Sequence, residues 1–189
     1  MLAQIGNVIY AGSLIIKLHG GKYMEKIKKL AFGTDHTSVE IRNTVKKYLE
    51  EMGYEVEDFG FSGSGSCDYP DYALKVAEAV VNRKADKGIL VCGTGIGMSI
   101  ACNKVKGAIA AVCWNEDTAK LAAQHNRANI LCLGSRTATV SEVCHMIKIF
   151  LETPFEERHM GRIVKIKEIE NSQSSKNNTK DTSVTENLD

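Results

Sequence analysis

The sequence predicts a Rossmann-like three-layer αβα fold, a five-stranded parallel sheet with helices on both faces and a C-terminal helix. Three observations carry that prediction. Between Lys28 and Glu170 short apolar runs alternate with amphipathic stretches about five times, the order of strand and crossover helix. Helix-ending signals fall between them, such as Gly53 after the first amphipathic stretch. Neither an internal repeat nor a linker divides the body.

Residues 1–27 read as an N-terminal extension outside the core. Met24 opens a run, Met-Glu-Lys-Ile-Lys-Lys-Leu-Ala-Phe-Gly, that leads straight into the first strand, so the preceding residues are either an extension or a matter of start-site choice. The apolar segment Leu2 to Leu18 carries Gln4, Asn7 and Lys17, and falls short of the roughly 20 apolar residues a spanning helix needs. It also lacks the basic start of a secretory signal, so a cytoplasmic protein is expected. The strands are expected at 29–33, 55–59, 88–92, 108–113 and 129–133. Helices are expected at 39–52, 71–83, 116–125 and 140–151, with Pro154 opening a last one that runs to about Glu170. The domain is thus 28–170. From Asn171 the composition turns to Ser, Asn, Thr, Lys and Asp, and residues 171–189 are expected to be a disordered polar tail.

Composition narrows the function classes. The chain has 189 residues, 43% hydrophobic and 25% charged, enough for one domain with a proper core. Lysine and arginine number 24 against 23 acidic residues, and a net charge of +1 provides no field for nucleic acid or an anionic membrane. Any anion must be held by local groups. The six cysteines are scattered with no C-x-x-C pair, which suggests reduced thiols and gives no closely spaced zinc ligands.

In open parallel sheets ligands collect at the carboxyl ends of the strands. Gly33-Thr34-Asp35-His36 follows the first strand, and Cys92-Gly93-Thr94-Gly95-Ile96-Gly97 follows the third. His125-Asn126 stands just before the fifth. A carboxylate, an imidazole, a thiol and a glycine loop are therefore expected to converge. Glycines at the head of a helix let backbone N–H groups approach a charged oxygen, so the loop 93–97 can cradle phosphate or an enediolate; a plain tight turn is the other reading. The dinucleotide fingerprint G-x-G-x-x-G is broken at Met98 and follows the wrong strand. Cys92, at a strand end facing a helix N-terminus, is placed where a thiolate is favoured, although a lone cysteine there is commonly core. Asp68 or Asp71 reads as a helix-start residue, and His125 as either a functional imidazole or a helix-end cation.

Taken together, Phe32-Gly33-Thr34-Asp35-His36, Asp68-Tyr69-Pro70, Cys92-Gly93-Thr94-Gly95-Ile96-Gly97, Asn103-Lys104, Gln124-His125-Asn126 and Arg158-His159 with Arg162 resemble type B ribose-5-phosphate isomerase. The resemblance spans about Lys28 to Glu170. It implies a cofactor-free, metal-free isomerase of ribose 5-phosphate and ribulose 5-phosphate, a step of the non-oxidative pentose phosphate pathway. It also implies a homodimer, or a dimer of dimers, with the active site at the subunit interface. In that family the residue matching Cys92 is the base and the one matching His125 helps open the furanose ring; Thr94 and Asp35 complete the catalytic set. Tyr69 would contact the sugar along with Asp35, while Gly93, Gly95, Ile96, Gly97 and Asn126 would hold the developing oxyanion and hydroxyls. His36, Arg136, Arg158 and Arg162 match positions near the phosphate. The chain departs from the family at Thr37-Ser38, where a small residue and glycine are usual, and in the small-residue loop Ser62 to Cys67. Both are expected at the pocket mouth.

Two other readings share the fold. One is an allose 6-phosphate or other hexose 6-phosphate isomerase, since pocket depth is not legible in one sequence. The other is a non-catalytic nucleotide-binding module, which would have no use for a thiol paired with a distant histidine.

Overall fold

A computed structural model describes residues 15–18, 22–25 and 27–181 of the chain. Its body is a five-stranded parallel sheet of β3 (Lys29–Thr34), β4 (Glu55–Asp58), β5 (Lys87–Cys92), β6 (Ala110–Val112) and β7 (Ile130–Gly134). They lie in the order β4-β3-β5-β7-β6. The inner strands β5 and β7 are buried at every residue, as continuous apolar runs must be when helices cover both faces. The edge strand β4 is polar, and its Glu55 and Glu57 both pair with Lys29 of β3 at 3.2 Å.

Alternation of side chains along the strands builds two cores. Leu30, Phe32, Ile89, Val91, Leu131 and Leu133 point to one face, against α1 (Val39–Glu51), α4 (Glu116–Gln124) and α5 (Val140–Glu152). Ala31, Leu90, Cys92, Ile130 and Cys132 point to the other, against α2 (Tyr69–Val81) and α3 (Ile96–Cys102). Reciprocal capping boxes start α4 at Asn115/Thr118 and α5 at Thr139/Glu142. Gly53, at φ +87°, ends α1 as its position predicts.

Four features differ from the sequence expectations. The helix α3 after the glycine loop is a full element, and α2 begins at Tyr69, two residues before Asp71, with Pro70 in its first turn. Pro154 does not open the last helix. It leads into a short strand, β8 (Phe155–Glu156), then a 3-10 turn over Glu157–His159, and α6 starts only at Met160. The reason is pairing: β1 (Ile15–Leu18) and β2 (Lys22–Glu25) form an antiparallel hairpin whose β2 holds β8 extended, Lys22 opposite Glu156 and Tyr23 opposite Phe155. The N-terminal extension thus adds a small second sheet beside the body. Finally, α6 runs to Asp181, so residues 171–181, expected to be disordered, are helical; once a helix is nucleated each added residue brings a hydrogen bond. Residues 182–189 and 1–14 lie outside the described ones. No described helix is long and apolar enough to cross a membrane.

Candidate active site

At the carboxyl edge of the sheet, strand register brings three loops together. Thr34 pairs with Val91, and Cys92 with Gly134, so the residues that follow them are neighbours. Cys92 is the last residue of β5 and is 5% exposed. Its sulfur accepts the backbone N–H of Gly95 at 3.1 Å. That bond requires the chain to turn back at once, and Gly95 does so at φ +78° as the N-cap of α3. A Cβ there would stand 3.0 Å from the Leu133 nitrogen. Gly97 has a different reason to be glycine: a Cβ would lie 2.6 Å from the Tyr69 ring, so the Tyr69 phenol leans directly over the loop.

The neighbouring loop carries Asp35, 4% exposed, whose Oδ1 accepts the N–H and the hydroxyl of Thr37 at 2.9 and 2.6 Å. His36 is exposed, and its Nδ1 accepts the backbone N–H of Cys67 at 3.2 Å, which ties the small-residue loop to this edge. Arg136 follows β7; its N–H donates to the Gly93 carbonyl at 3.0 Å and its guanidinium lies alongside Gly93. Thr94 Oγ1 faces the Ile96 N–H at 3.4 Å. Asp35, His36, Tyr69, Cys92 to Gly97 and Arg136 are therefore brought to one edge, as predicted.

His125, Asn126, Arg158 and Arg162 are not. His125 closes α4, which runs back toward the start of β7, and β7 begins at Ile130 level with Gly88, four residues below the Cys92 level. That is about 13 Å of strand. The convergence expected from the sequence does not occur within one chain, because a helix antiparallel to the strands ends at their amino edge. There Glu156 forms the centre of a second cluster. Its Oε1 accepts from Gln124 Nε2 at 2.8 Å, and its Oε2 accepts from Arg158 Nε at 2.8 Å and Nη2 at 2.7 Å. The same Oε2 lies 3.9 Å from His125 Nε2 and 3.8 Å from His159 Nε2. The two imidazole rings are tilted by 39° with centroids 4.2 Å apart. The Arg158 guanidinium holds the Glu156 carboxyl below its ordinary range. Burial, and then the nearby Arg158 charge, pulls the His159 imidazole below its ordinary value. Arg162 Nη1 donates to His159 Nδ1 at 3.0 Å. Asn126 is exposed beside His125.

Sequence reasoning missed Glu156 altogether and noted His159 only as a member of a motif. It also placed Thr37-Ser38 at the pocket mouth, whereas Ser38 is fully buried. The Ser38 hydroxyl donates to Ser135 Oγ at 3.0 Å, and Ser135 Oγ reaches the Thr37 and Cys92 carbonyls at 3.2 Å each. The pair thus braces the strand ends beneath the site. Asn103 is likewise a brace, exchanging two 2.9 Å hydrogen bonds with the backbone of Ala110. Among the other cysteines, burial pushes the Cys113 thiol up to about 11 and raises that of Cys144. A hydrogen bond with Cys102, then burial, raises the Cys132 thiol well above its ordinary value. These remain neutral thiols in the core. A groove of about 600 Å³ between the starts of α4 and α5, lined by Trp114, Glu116 and His145 among others, contains none of the predicted residues.

Comparisons with known proteins point to a family. The family model described as Ribose/Galactose Isomerase matches residues 30–166. Ribose-5-phosphate isomerase B of Escherichia coli is 41% identical over 145 residues, which cover 76% of this chain and 97% of that one. The structure of ribose-5-phosphate isomerase B from Clostridium thermocellum has a TM-score of 0.75 at 44% identity, covering 77% of this chain and 99% of that one. That of the Mycoplasma genitalium enzyme, solved with ribulose-5-phosphate bound, has a TM-score of 0.72 at 42% identity, covering 76% and 96%. With the family model spanning residues 30–166 and relatives above 40% identical over nearly their whole length, the chain belongs to the ribose-5-phosphate isomerase B family of sugar-phosphate isomerases.

Proposed function

We propose that the chain interconverts ribose 5-phosphate and ribulose 5-phosphate through an enediolate, with Cys92 as the base and no cofactor. Moving the carbonyl from carbon 1 to carbon 2 needs one group that takes a proton from carbon 2 and returns it to carbon 1. It also needs donors for the oxyanion that forms between. The observation that carries the reading is the Gly95 N–H to Cys92 Sγ bond of 3.1 Å, which sets the sulfur at the head of a glycine loop rich in N–H groups. Asp35 and Tyr69 at the same edge would hold the sugar hydroxyls, and Thr94 the developing charge.

The imidazole and arginines at the opposite edge fit the same reaction only if a second copy supplies them. His125 would then open the furanose, with Asn126 beside it, and Arg158 and Arg162 would join His36 and Arg136 on the phosphate. A homodimer is supported by the surface next to the loop. Ile96 and Ile100, one turn apart on α3, are 54% and 56% exposed, and α2, packed on α3, exposes Leu74. Apolar surface of that kind is what an interface buries. The pathway step and a cytoplasmic location follow from this reading.

An isomerase assay across pentose and hexose phosphates tests it. Ribose 5-phosphate is the expected best substrate, and Cys92→Ala is expected to lose ~10²–10⁴ in rate or more. Preference for allose 6-phosphate would shift the substrate while keeping the mechanism. Full turnover by Cys92→Ala would remove the base.

A further inference from the structure

The cluster around Glu156 has a second chemical capacity. One imidazole nitrogen of His125, a carboxylate oxygen of Glu156 and one imidazole nitrogen of His159 all lie within 4.8 Å of one another, and Nε2 of each histidine is the atom that faces Glu156 Oε2. Two imidazoles and one carboxylate are a donor set that zinc-type ions take, with a position left over for water. At bond lengths near 2.0–2.2 Å, tetrahedral ligand atoms stand roughly 3.4 Å apart. The 3.8 and 3.9 Å separations from Glu156 Oε2 therefore need to close by about half an ångström, and the two imidazole nitrogens, within 4.8 Å, by up to about 1.4 Å.

Two independent observations point to a ligand here. His159 is 3% exposed, and its Nε2 has no hydrogen-bond partner. Arginine only donates, so Arg162 fixes Nδ1 as the acceptor and leaves Nε2, bearing its proton, aimed at Glu156 from 3.8 Å. A buried polar atom without a partner is uncommon enough to require a reason. In addition, a cation already stands against the other two ligands: Arg158 Nη2 is 2.7 Å from Glu156 Oε2 and 3.4 Å from His125 Nε2. The Arg158 side chain is 66% exposed, so it can swing away without disturbing the core.

We propose that His125, Glu156 and His159 form a binding site for a zinc-type divalent ion, for which the Arg158 guanidinium is the resident competitor. On the reading of His125 given above, such an ion inhibits the isomerase instead of serving it, since it takes the imidazole lone pair needed for ring opening. The proton balance is simple. The ion takes the Nε2 lone pair of His159, the Nε2 proton leaves to solvent, and Nδ1 gains one, so Arg162 loses its acceptor. Nitrogen donors favour zinc, cobalt(II) or nickel over magnesium and calcium, which take oxygen ligands.

The test is a cobalt(II) titration of the full chain after chelator treatment, followed by visible absorption, with zinc added to displace the cobalt. One cobalt per chain is expected, with the visible bands of a four- or five-coordinate ion and no near-ultraviolet band from a cobalt–thiolate bond. Glu156→Gln, which keeps the shape of the side chain, should weaken binding tenfold or more. His159→Gln should do the same. Arg158→Ala should tighten binding by roughly tenfold or more, because a hydrogen bond to a charged group no longer has to be broken. That reversal of sign separates this site from any adventitious surface histidine. No visible absorption at submillimolar cobalt, a thiolate band, or equal affinity in wild type, Glu156→Gln and Arg158→Ala would each overturn the proposal. Because the readout is binding, its failure leaves the isomerase reading intact, and a failed isomerase assay leaves the site intact.

Discussion

The separation of Cys92 from His125 gives a prediction that one chain alone cannot satisfy. A base at carbon 2 and a ring-opening imidazole must both reach the same few atoms of one sugar, each within hydrogen-bond distance of about 3 Å. Within a chain Cys92 lies about 13 Å of strand above the start of β7, at the carboxyl edge, whereas His125 ends α4 at the amino edge. Cys92→Ala and His125→Ala, each tested alone from the aldose, should therefore fall to about 1% of wild type or below. Unfolding the two variants together in equal amounts and refolding them distributes the subunits at random, so half the dimers are mixed. Each mixed dimer contains one site with both residues intact and one with neither. The mixture should recover roughly a quarter of wild-type activity, some 25-fold above either parent. The assay is the ribose 5-phosphate to ribulose 5-phosphate rate, measured beside affinity-tag capture that counts the mixed dimers. Mixed dimers present at the expected fraction with activity still at the parental mean would refute the shared site.

Three further outcomes are expected. Arg158→Ala and Arg162→Ala should each raise KM roughly 10- to 150-fold with kcat little changed, because a hydrogen bond to a charged group is worth about 1.5–3 kcal/mol and the phosphate is held alike in ground and transition states; unchanged KM in both would remove the phosphate assignment. In the folded protein His159 titrates below its ordinary 6.5 and Glu156 below its ordinary 4.5, so the unfolded chain binds more protons in both windows. The urea midpoint should hence fall as pH drops below about 6.5 and again below about 4.5, and His159→Gln should flatten the upper decline; an equal slope in that variant would assign the decline elsewhere. Gly95→Ala should cost about 1–3 kcal/mol in thermal unfolding, since φ is +78° and the new methyl meets backbone of Leu133 and Cys132 at 3.0 and 3.1 Å. The same variant should lose kcat, and wild-type stability would show that the loop relaxes.

Much of the body was legible because its signals are local. The run Lys87 to Cys92 has nowhere to be except inside a two-faced sheet, and the glycine loop marks Cys92 without any knowledge of contacts. What was not legible depends on direction and distance. Cys92 and His125 both sit near strand ends in the sequence, yet one follows its strand and the other precedes its own, which puts them on opposite edges. Glu156 is one acidic residue among many until β8 turns it toward Gln124, Arg158 and two imidazoles; the residues concerned are spread from 124 to 159. A spacing rule for metal ligands, which looks for pairs two to four apart, does not register His125 with Glu156. Ser38 reads in the sequence only as a departure at the pocket mouth, and its partner Ser135, 97 residues away, is what accounts for its burial. Pro154 misled because a helix-start residue was read without the strand that lies beside it.

The hairpin of β1 and β2 ties the beginning of the chain to the residue on which the histidine cluster depends. Glu156 is held from one side by side-chain partners and from the other by the backbone of Lys22 across the strand pair. A chain shortened to begin at Met24 is not equivalent to the full one for this reason. It would contain Cys92 and its glycine loop in full but would lack β1 and the two residues that pair with β8. Such a shortening would loosen the imidazole and arginine edge while the thiol edge stayed as built.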